Sequence, residues 1–224
     1  FYVSESKAGV FSDLSITEGI GPASRRMLTF GVFFFDYDLD GRLDLFQTNG
    51  HIEEAIQQVQ ASQHYRQPSQ LFWNCGPGHA SSFVPVDIAS TGDLGQPLVG
   101  RGAAYADIDG AGDLDVLLTQ TAARAVLLRN DQRLGNHWLR VRLVGTRCCR
   151  EAIGAWVEVD AGGVTQRQQL MPTRSYLSQV EPVLTFGLGQ DERAPRVRVM
   201  WPGERVAQEV GVLAVDAVHV IEQR

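Results

Sequence analysis

The sequence predicts an all-β chain: four-stranded units on the plan of partial β-propeller blades over residues 1–134, then a small β-sandwich over residues 135–224. Three observations carry this prediction. One segment recurs without a gap at an offset of 71 residues. Apolar pairs flank Gly- and Pro-rich turns, the signature of hairpins. The second half alternates apolar and polar side chains with the period of half-buried strands.

The repeat aligns Leu28–Thr48 (LTFGVFFFDYDLDGRLDLFQT) with Val99–Thr119 (VGRGAAYADIDGAGDLDVLLT). Gly31 meets Gly102, Asp36 meets Asp107, Asp38 meets Asp109, Gly41 meets Gly112 and Asp44 meets Asp115. Each copy reads as strand, Asp-rich loop, strand. Leu71–Val86 (LFWNCGPGHASSFVPV) then reads as a hairpin, and Phe1–Leu14 has the same plan with Gly9 in its turn. Four strands per unit is the plan of a propeller blade. Val126–Asn130 is expected to open a third copy of that hairpin, and Glu53–His64 to form an inserted short helix or ordered loop. Two Asp loops fall short of the roughly four or more blades that a ring requires. The missing blades are therefore expected upstream in a longer precursor or from other chains. A start at Phe1, with neither Met nor a charged-then-apolar leader, fits a removed signal peptide or a piece of a longer chain.

Asp36-Tyr37-Asp38-Leu39-Asp40-Gly41-Arg42-Leu43-Asp44 sets carboxylates at loop positions 1, 3, 5 and 9. Alternate spacing in a tight loop turns every second side chain inward. Gly41, at position 6, tolerates the positive φ that brings the last ligands round. The carbonyl of Arg42, at position 7, adds another oxygen. Calcium takes about six to eight oxygens, whereas magnesium keeps more water, so calcium is the expected ion. An EF-hand shares the opening D-x-D-x-D-G but needs flanking helices and Glu at position 12. Here position 12 is Gln47 and the flank Val32–Phe35 is strand-like. Without a cation, four carboxylates in one loop would repel strongly. In the second loop Ala111 takes position 5. Asp107, Asp109 and Asp115 remain, and Asp113 supplies the position-7 carbonyl or, with a shift of register, its side chain.

In the C-terminal half, Leu139, Val141 and Leu143 alternate with Arg140 and Arg142, and Val197, Val199 and Trp201 with Arg196, Arg198 and Met200. Gly162-Gly163 marks a hairpin turn, and Val215–Ile221 reads as a last strand. Two small sheets packed face to face are the natural solution. The arginines are read as a solvated strand face, with an acidic partner as the functional alternative.

Composition bounds the function. The net charge of −6 divides into 16 acidic against 9 basic side chains over residues 1–134, and 10 against 11 over residues 135–224. That break supports two domains. Clustered Asp favours a hard cation and makes nucleic acid a poor partner for the acidic half. No apolar run approaches the ~18 residues of a membrane-spanning helix. Cys75, Cys148 and Cys149 are too few for a disulfide framework and lack the Cys-x-x-Cys spacing of structural zinc. One bridge from Cys75 to the vicinal pair and free thiols are equally compatible with the sequence. The five histidines are scattered, no Gly-x-Ser-x-Gly elbow is present, and Gly187-Leu188-Gly189 lacks the third glycine of a dinucleotide loop. Asn49-Gly50-His51 is the most suggestive polar triplet, though a turn explains it.

Residues 28–48 and 99–119 resemble FG-GAP (VCBS) repeats, the calcium-loop blades of integrin-like propellers. Residues from about 136 to 224 resemble the ASPIC/UnbV domain of cartilage acidic protein-like and bacterial secreted proteins. The matching stretches are Asn136–Leu139, Leu143–Thr146, Ala152–Ala155, Ser175–Gln179, Phe186–Gly189 and Val199–Gly203. Two departures stand out. Cys148-Cys149 replaces a polar pair, which suggests a local bridge, and Met171-Pro172-Thr173 replaces a Gly-rich run before Arg174. The resemblance implies calcium-stabilised blades and an extracellular or periplasmic location, and no settled reaction. Two functions follow. The favoured one is a calcium-binding scaffold or protein-interaction subunit, whose partners are the remaining blades or other subunits of a surface or periplasmic complex. The alternative is a secreted or periplasmic enzyme of secondary metabolism, by analogy with the UnbV name.

Overall fold

Aromatic and β-branched runs bounded by Gly, Pro, Asn and Asp become short strands throughout. The computed structural model describes residues 1–4 and 9–224, and is all-β with several separate sheets. β1 (Tyr2–Ser4) pairs antiparallel with β2 (Phe11–Asp13). Gly9 adopts φ 79° in their connection; residues 5–8 of the expected first hairpin lie outside the described residues. A short α1 (Ile20–Ser24) leads to β3 (Thr29–Phe35) and β4 (Asp44–Asn49). The expected insertion after β4 holds one helical turn, α2 (Ile56–Val59). Then β5 (Gln70–Asn74) and β6 (Phe83–Pro85) complete an antiparallel sheet in chain order, β3-β4-β5-β6.

The second repeat gives β7 (Gly100–Ala106), β8 (Asp115–Gln120) and β9 (Val126–Leu128) in one antiparallel sheet. The strand expected at Val126–Asn130 forms, in the place that β5 takes in the first unit, and the sheet ends there at three strands. β9 pairs with β8, Val116 opposite Leu128 and Leu118 opposite Val126, so it is the third strand of the second unit. The connection between them is too short to leave the sheet, and Ala122 at φ 54° reverses the chain at once.

β3 is almost continuously apolar because both faces of its sheet are covered. On one face Phe33, Phe35 and Phe46 meet Leu94, Leu98, Ala103, Leu114, Val116 and Leu118 of the second unit. Phe33 stacks on Phe46 at 5.1 Å and meets the edge of Tyr105 at 5.0 Å, contacts that add about 0.5–1.5 kcal/mol each beyond burial. On the other face Phe34 joins Leu45, Phe72, Phe83 and Phe1. The two units approach closely at Gly31: a Cβ there would lie 2.8 Å from the Ala103 Cβ and 2.9 Å from the Arg101 carbonyl oxygen.

The C-terminal half places β10 (His137–Val144) in the middle of a three-stranded sheet, antiparallel to β13 (Leu184–Gly189) and parallel to β16 (Ala217–Glu222). A four-stranded sheet orders β12 (Val164–Gln169), β11 (Trp156–Ala161), β14 (Arg196–Met200) and β15 (Gln208–Val212). Both sheets feed one core, Leu139, Val141 and Phe186 from the first and Val157, Val159, Val197 and Val199 from the second. Each side chain comes from alternate strand positions, as the sequence pattern requires. Cys75, Cys148 and Cys149 are all free thiols. Among the described residues no helix is long and apolar enough to cross a membrane.

Candidate metal centre

The first Asp loop joins β3 to β4. Asp36 leaves one strand, Asp44 starts the next, and the chain reverses through Leu39 at φ 60° and Gly41 at φ 89°. Left-handed backbone suits glycine and strains leucine; Leu39 holds it because its side chain is fully buried. The reversal brings carboxylate oxygens of Asp36, Asp38 and Asp40 within 4.8 Å of one another. Asp36 accepts from the backbone N–H groups of Asp40 (3.1 Å) and Gly41 (2.9 Å). Asp38 accepts from the Trp73 indole N–H at 3.0 Å. Asp40 accepts from the Arg42 N–H at 2.8 Å and pairs with the Arg42 guanidinium, whose Nε–H donates to the Asn74 carbonyl at 2.8 Å. Asp44 lies outside the converging triplet. Its oxygens accept from the N–H groups of Tyr37 (3.1 Å) and Asn74 (2.7 Å), tying the loop to β5.

Charge and burial oppose each other here. Asp36 and Asp38 are buried and Asp44 is fully so. Burial, then the charge of Asp44, holds the Asp36 carboxyl well above the usual range, with the Gly41 N–H working against it. Asp38 is raised by burial and then by Asp40. Asp44 is pushed up to about 8 by burial, against the N–H groups of Asn74 and Tyr37. The Tyr37 phenol is raised by burial and by the same carboxylates. The protein alone resists ionising this loop; a hard divalent cation would supply the missing positive charge. The all-oxygen donor set fits such an ion.

The second loop repeats the framework. Asp107 accepts from the N–H groups of Gly110 (2.8 Å) and Gly112 (3.1 Å), and Asp115 from those of Ile108 (3.0 Å) and Asn130 (2.8 Å). Asp107, Asp109 and Asp115 bring carboxylate oxygens within 4.8 Å of one another. Ala111 leaves position 5 without a ligand, and Asp109 is exposed. Asp113 is buried, its Oδ1 without a hydrogen-bond partner among the described residues, and burial followed by the charges of Asp115, Asp109 and Asp107 pushes its carboxyl up to about 6.

Both loops are covered by the C-terminal half. At the first, the Gly189 N–H donates to the Leu39 carbonyl (2.9 Å) and the Asn136 amide to the Asp38 carbonyl (2.8 Å), while from the second unit the Asn130 amide donates to the Tyr37 carbonyl (2.7 Å). At the second, Trp138 lies over Gly112, where a Cβ would come within 2.0 Å of the indole. Arg140 donates to Asp107 at 2.6 Å, pairs with Glu181, and donates to the Thr185 hydroxyl at 3.2 Å. Arg140 is only 5% exposed, so its expected place on a solvated face is corrected. Arg142, two residues on, is exposed as expected. The strand pattern put both arginines on one face, and it held no signal that this face of β10 is covered at Arg140 by a loop from residues 107–115.

Asn49-Gly50-His51 belongs to the crossing between the two units. The Asn49 amide donates to the Pro68 carbonyl at 2.9 Å, and the carbonyls of Gly50 and His51 accept from Arg101 at 2.9 and 3.1 Å. A Cβ on Gly50 would lie 2.5 Å from the Gly100 nitrogen, so glycine is required there by close approach. One cleft of about 660 Å³ lies between Pro22–Met27 and Gln60–Gln63; it presents Arg25 and Arg26, with no carboxylate, imidazole or thiol in its lining.

Residues 145–224 match the family described as ASPIC and UnbV. The chain is similar to cartilage acidic protein 1 of Xenopus tropicalis, 32% identical over 178 residues, which are 76% of this chain and 25% of that protein. It is similar to cartilage acidic protein 1 of Homo sapiens, 38% identical over 124 residues, 53% of this chain and 18% of that protein. With the Mus musculus protein it shares 36% identity over 124 residues, 19% of that protein's length. The chain thus spans a quarter or less of the curated relatives it matches.

Proposed function

We propose, for a chain whose residues 145–224 match the ASPIC and UnbV family, that it is a calcium-binding extracellular or periplasmic scaffold. In this reading the sheets of residues 1–134 are FG-GAP/VCBS-type propeller blades that, with the C-terminal domain, present a surface within a larger assembly. The similarity to cartilage acidic protein 1 supports an extracellular location. The observation that carries the reading is the convergence of Asp36, Asp38 and Asp40 within 4.8 Å, in a loop that the C-terminal half covers.

Asp36, Asp38 and Asp40 would hold the ion, with Asp44 and the Arg42 carbonyl as further oxygens. Calcium would supply the positive charge that lets these carboxylates ionise together. The chain's own groups orient the donors: Gly41 and Asp40 N–H groups aim Asp36, Trp73 aims Asp38, and Arg42 holds Asp40. No bond is made or broken; the gain is rigidity at the seam between the two halves.

The test is calorimetric titration of chelator-treated protein with calcium chloride, beside thermal unfolding. Binding in the native chain, abolished by Asp38→Asn, is the expected result. A native chain that binds no calcium and melts identically with calcium and with chelator would overturn the reading.

A further inference from the structure

The two loops share one framework and differ in what faces the first Asp. In each, the first Asp accepts on Oδ2 from the glycine at position 6, Gly41 for Asp36 and Gly112 for Asp107. Beyond Asp36 Oδ2 stands the bare backbone of Gly187, where a Cβ would lie 2.1 Å away. Beyond Asp107 Oδ2 stands a guanidinium, Arg140 Nη1 at 2.6 Å. Each nitrogen of that guanidinium is engaged: Nη2 pairs with Glu181 and Nε–H donates to Thr185. Glu181 Oε1 also accepts the backbone N–H of Asp107 at 3.1 Å, closing a ring of Arg140, Asp107 and Glu181.

We propose that Arg140 is the resident cation of the second loop, that this loop takes no calcium, and that the pairing latches the C-terminal domain to the second unit without a metal. The contrast with the first loop rests on the calcium reading above. A buried guanidinium cannot leave its carboxylates without stranding its own charge, so it does not yield to an incoming ion. A divalent cation at Asp107 would instead sit beside a fixed positive charge. Ala111 has already removed one carboxylate from the set, and Asp109 faces solvent. The planar fork of arginine suits the task, since it engages both acids and the threonine hydroxyl at once.

The experiment counts calcium ions per chain by calorimetric titration and native mass spectrometry on the chelator-treated full chain. The native chain is expected to bind one ion, Asp38→Asn none, and Asp113→Asn one, because the Asp113 oxygen that has no partner among the described residues is not serving a metal. Combining Arg140→Gln with Ala111→Asp is expected to raise the count from one to two. That variant loses a buried charge and is prone to unfold, so the decisive counts are the native, Asp38→Asn and Asp113→Asn ones. Two ions in the native chain, or one ion that survives Asp38→Asn and disappears in Asp113→Asn, overturns the proposal. No ion in the native chain defeats the first-loop reading and leaves the second loop metal-free, as proposed.

Discussion

Gly187 of β13 lies directly against Asp36 of the first loop: a methyl group on Gly187 would fall 2.1 Å from Asp36 Oδ2 and 2.4 Å from the Leu39 carbonyl carbon. The C-terminal half therefore meets the Asp36 carboxylate with backbone, beside the Asn136 amide on the Asp38 carbonyl. Gly187→Ala is expected to force the two apart and destabilise the chain by about 1–3 kcal/mol, the usual cost of overpacking. Thermal unfolding should register this as a fall of roughly 2–4 °C per kcal/mol. Calcium affinity should fall in the same variant, because the crowded atom is a proposed ligand.

Calcium at 100 times its dissociation constant is expected to stabilise the native chain by about 2.7 kcal/mol. Differential scanning calorimetry should show the melting temperature rising with calcium concentration. Asp38→Asn should flatten that dependence.

The chelated protein is expected to lose stability as pH rises. In the unfolded chain Asp44 gives up its proton near pH 4, whereas in the folded chain it keeps it until about 8, and Asp36 is raised in the same direction. Between these limits the folded state binds more protons, so its stability is fully present below about pH 4 and drains away toward pH 8. Melting temperatures of chelated protein should therefore be lower at about pH 8 than at about pH 5.5. Saturating calcium should shrink or reverse that difference, since the ion displaces the same protons.

Trp73 should report the first loop optically, because its indole N–H donates to Asp38 at 3.0 Å. Calcium titration is expected to change intrinsic fluorescence, and Trp73→Phe should abolish most of the change. Persistence of the full response in that variant would place the ion elsewhere.

Phe33→Ala is expected to cost about 3–5 kcal/mol, the range for deleting a buried phenylalanine. Phe33 contacts Phe35, Phe46 and Tyr105, so the loss falls on the seam between the two repeated units. Urea denaturation should show a lower midpoint with or without calcium, which separates it from the loop variants.

What could be read from the chain alone was local. The 71-residue offset located both Asp loops, because each loop is built from consecutive residues and a required glycine. Leu71–Val86 announced the pairing of β5 with β6 through its turn. What escaped was set by distant partners. The parallel pairing of β10 with β16 joins strands some 80 residues apart and has no sequence signature. Arg140 followed strict alternation yet is buried, because the surface covering it comes from residues 107–115.

The cover over the first loop has a kinetic side. Asp36 and Asp38 are 3% and 6% exposed, and strand β13 lies against Asp36 and Leu39. An ion held by these buried carboxylates would be screened from bulk water on that side, and its escape would wait on the two halves parting. Its residence time would then be set by that opening rate, and stripping by a chelator would proceed at a pace independent of chelator concentration.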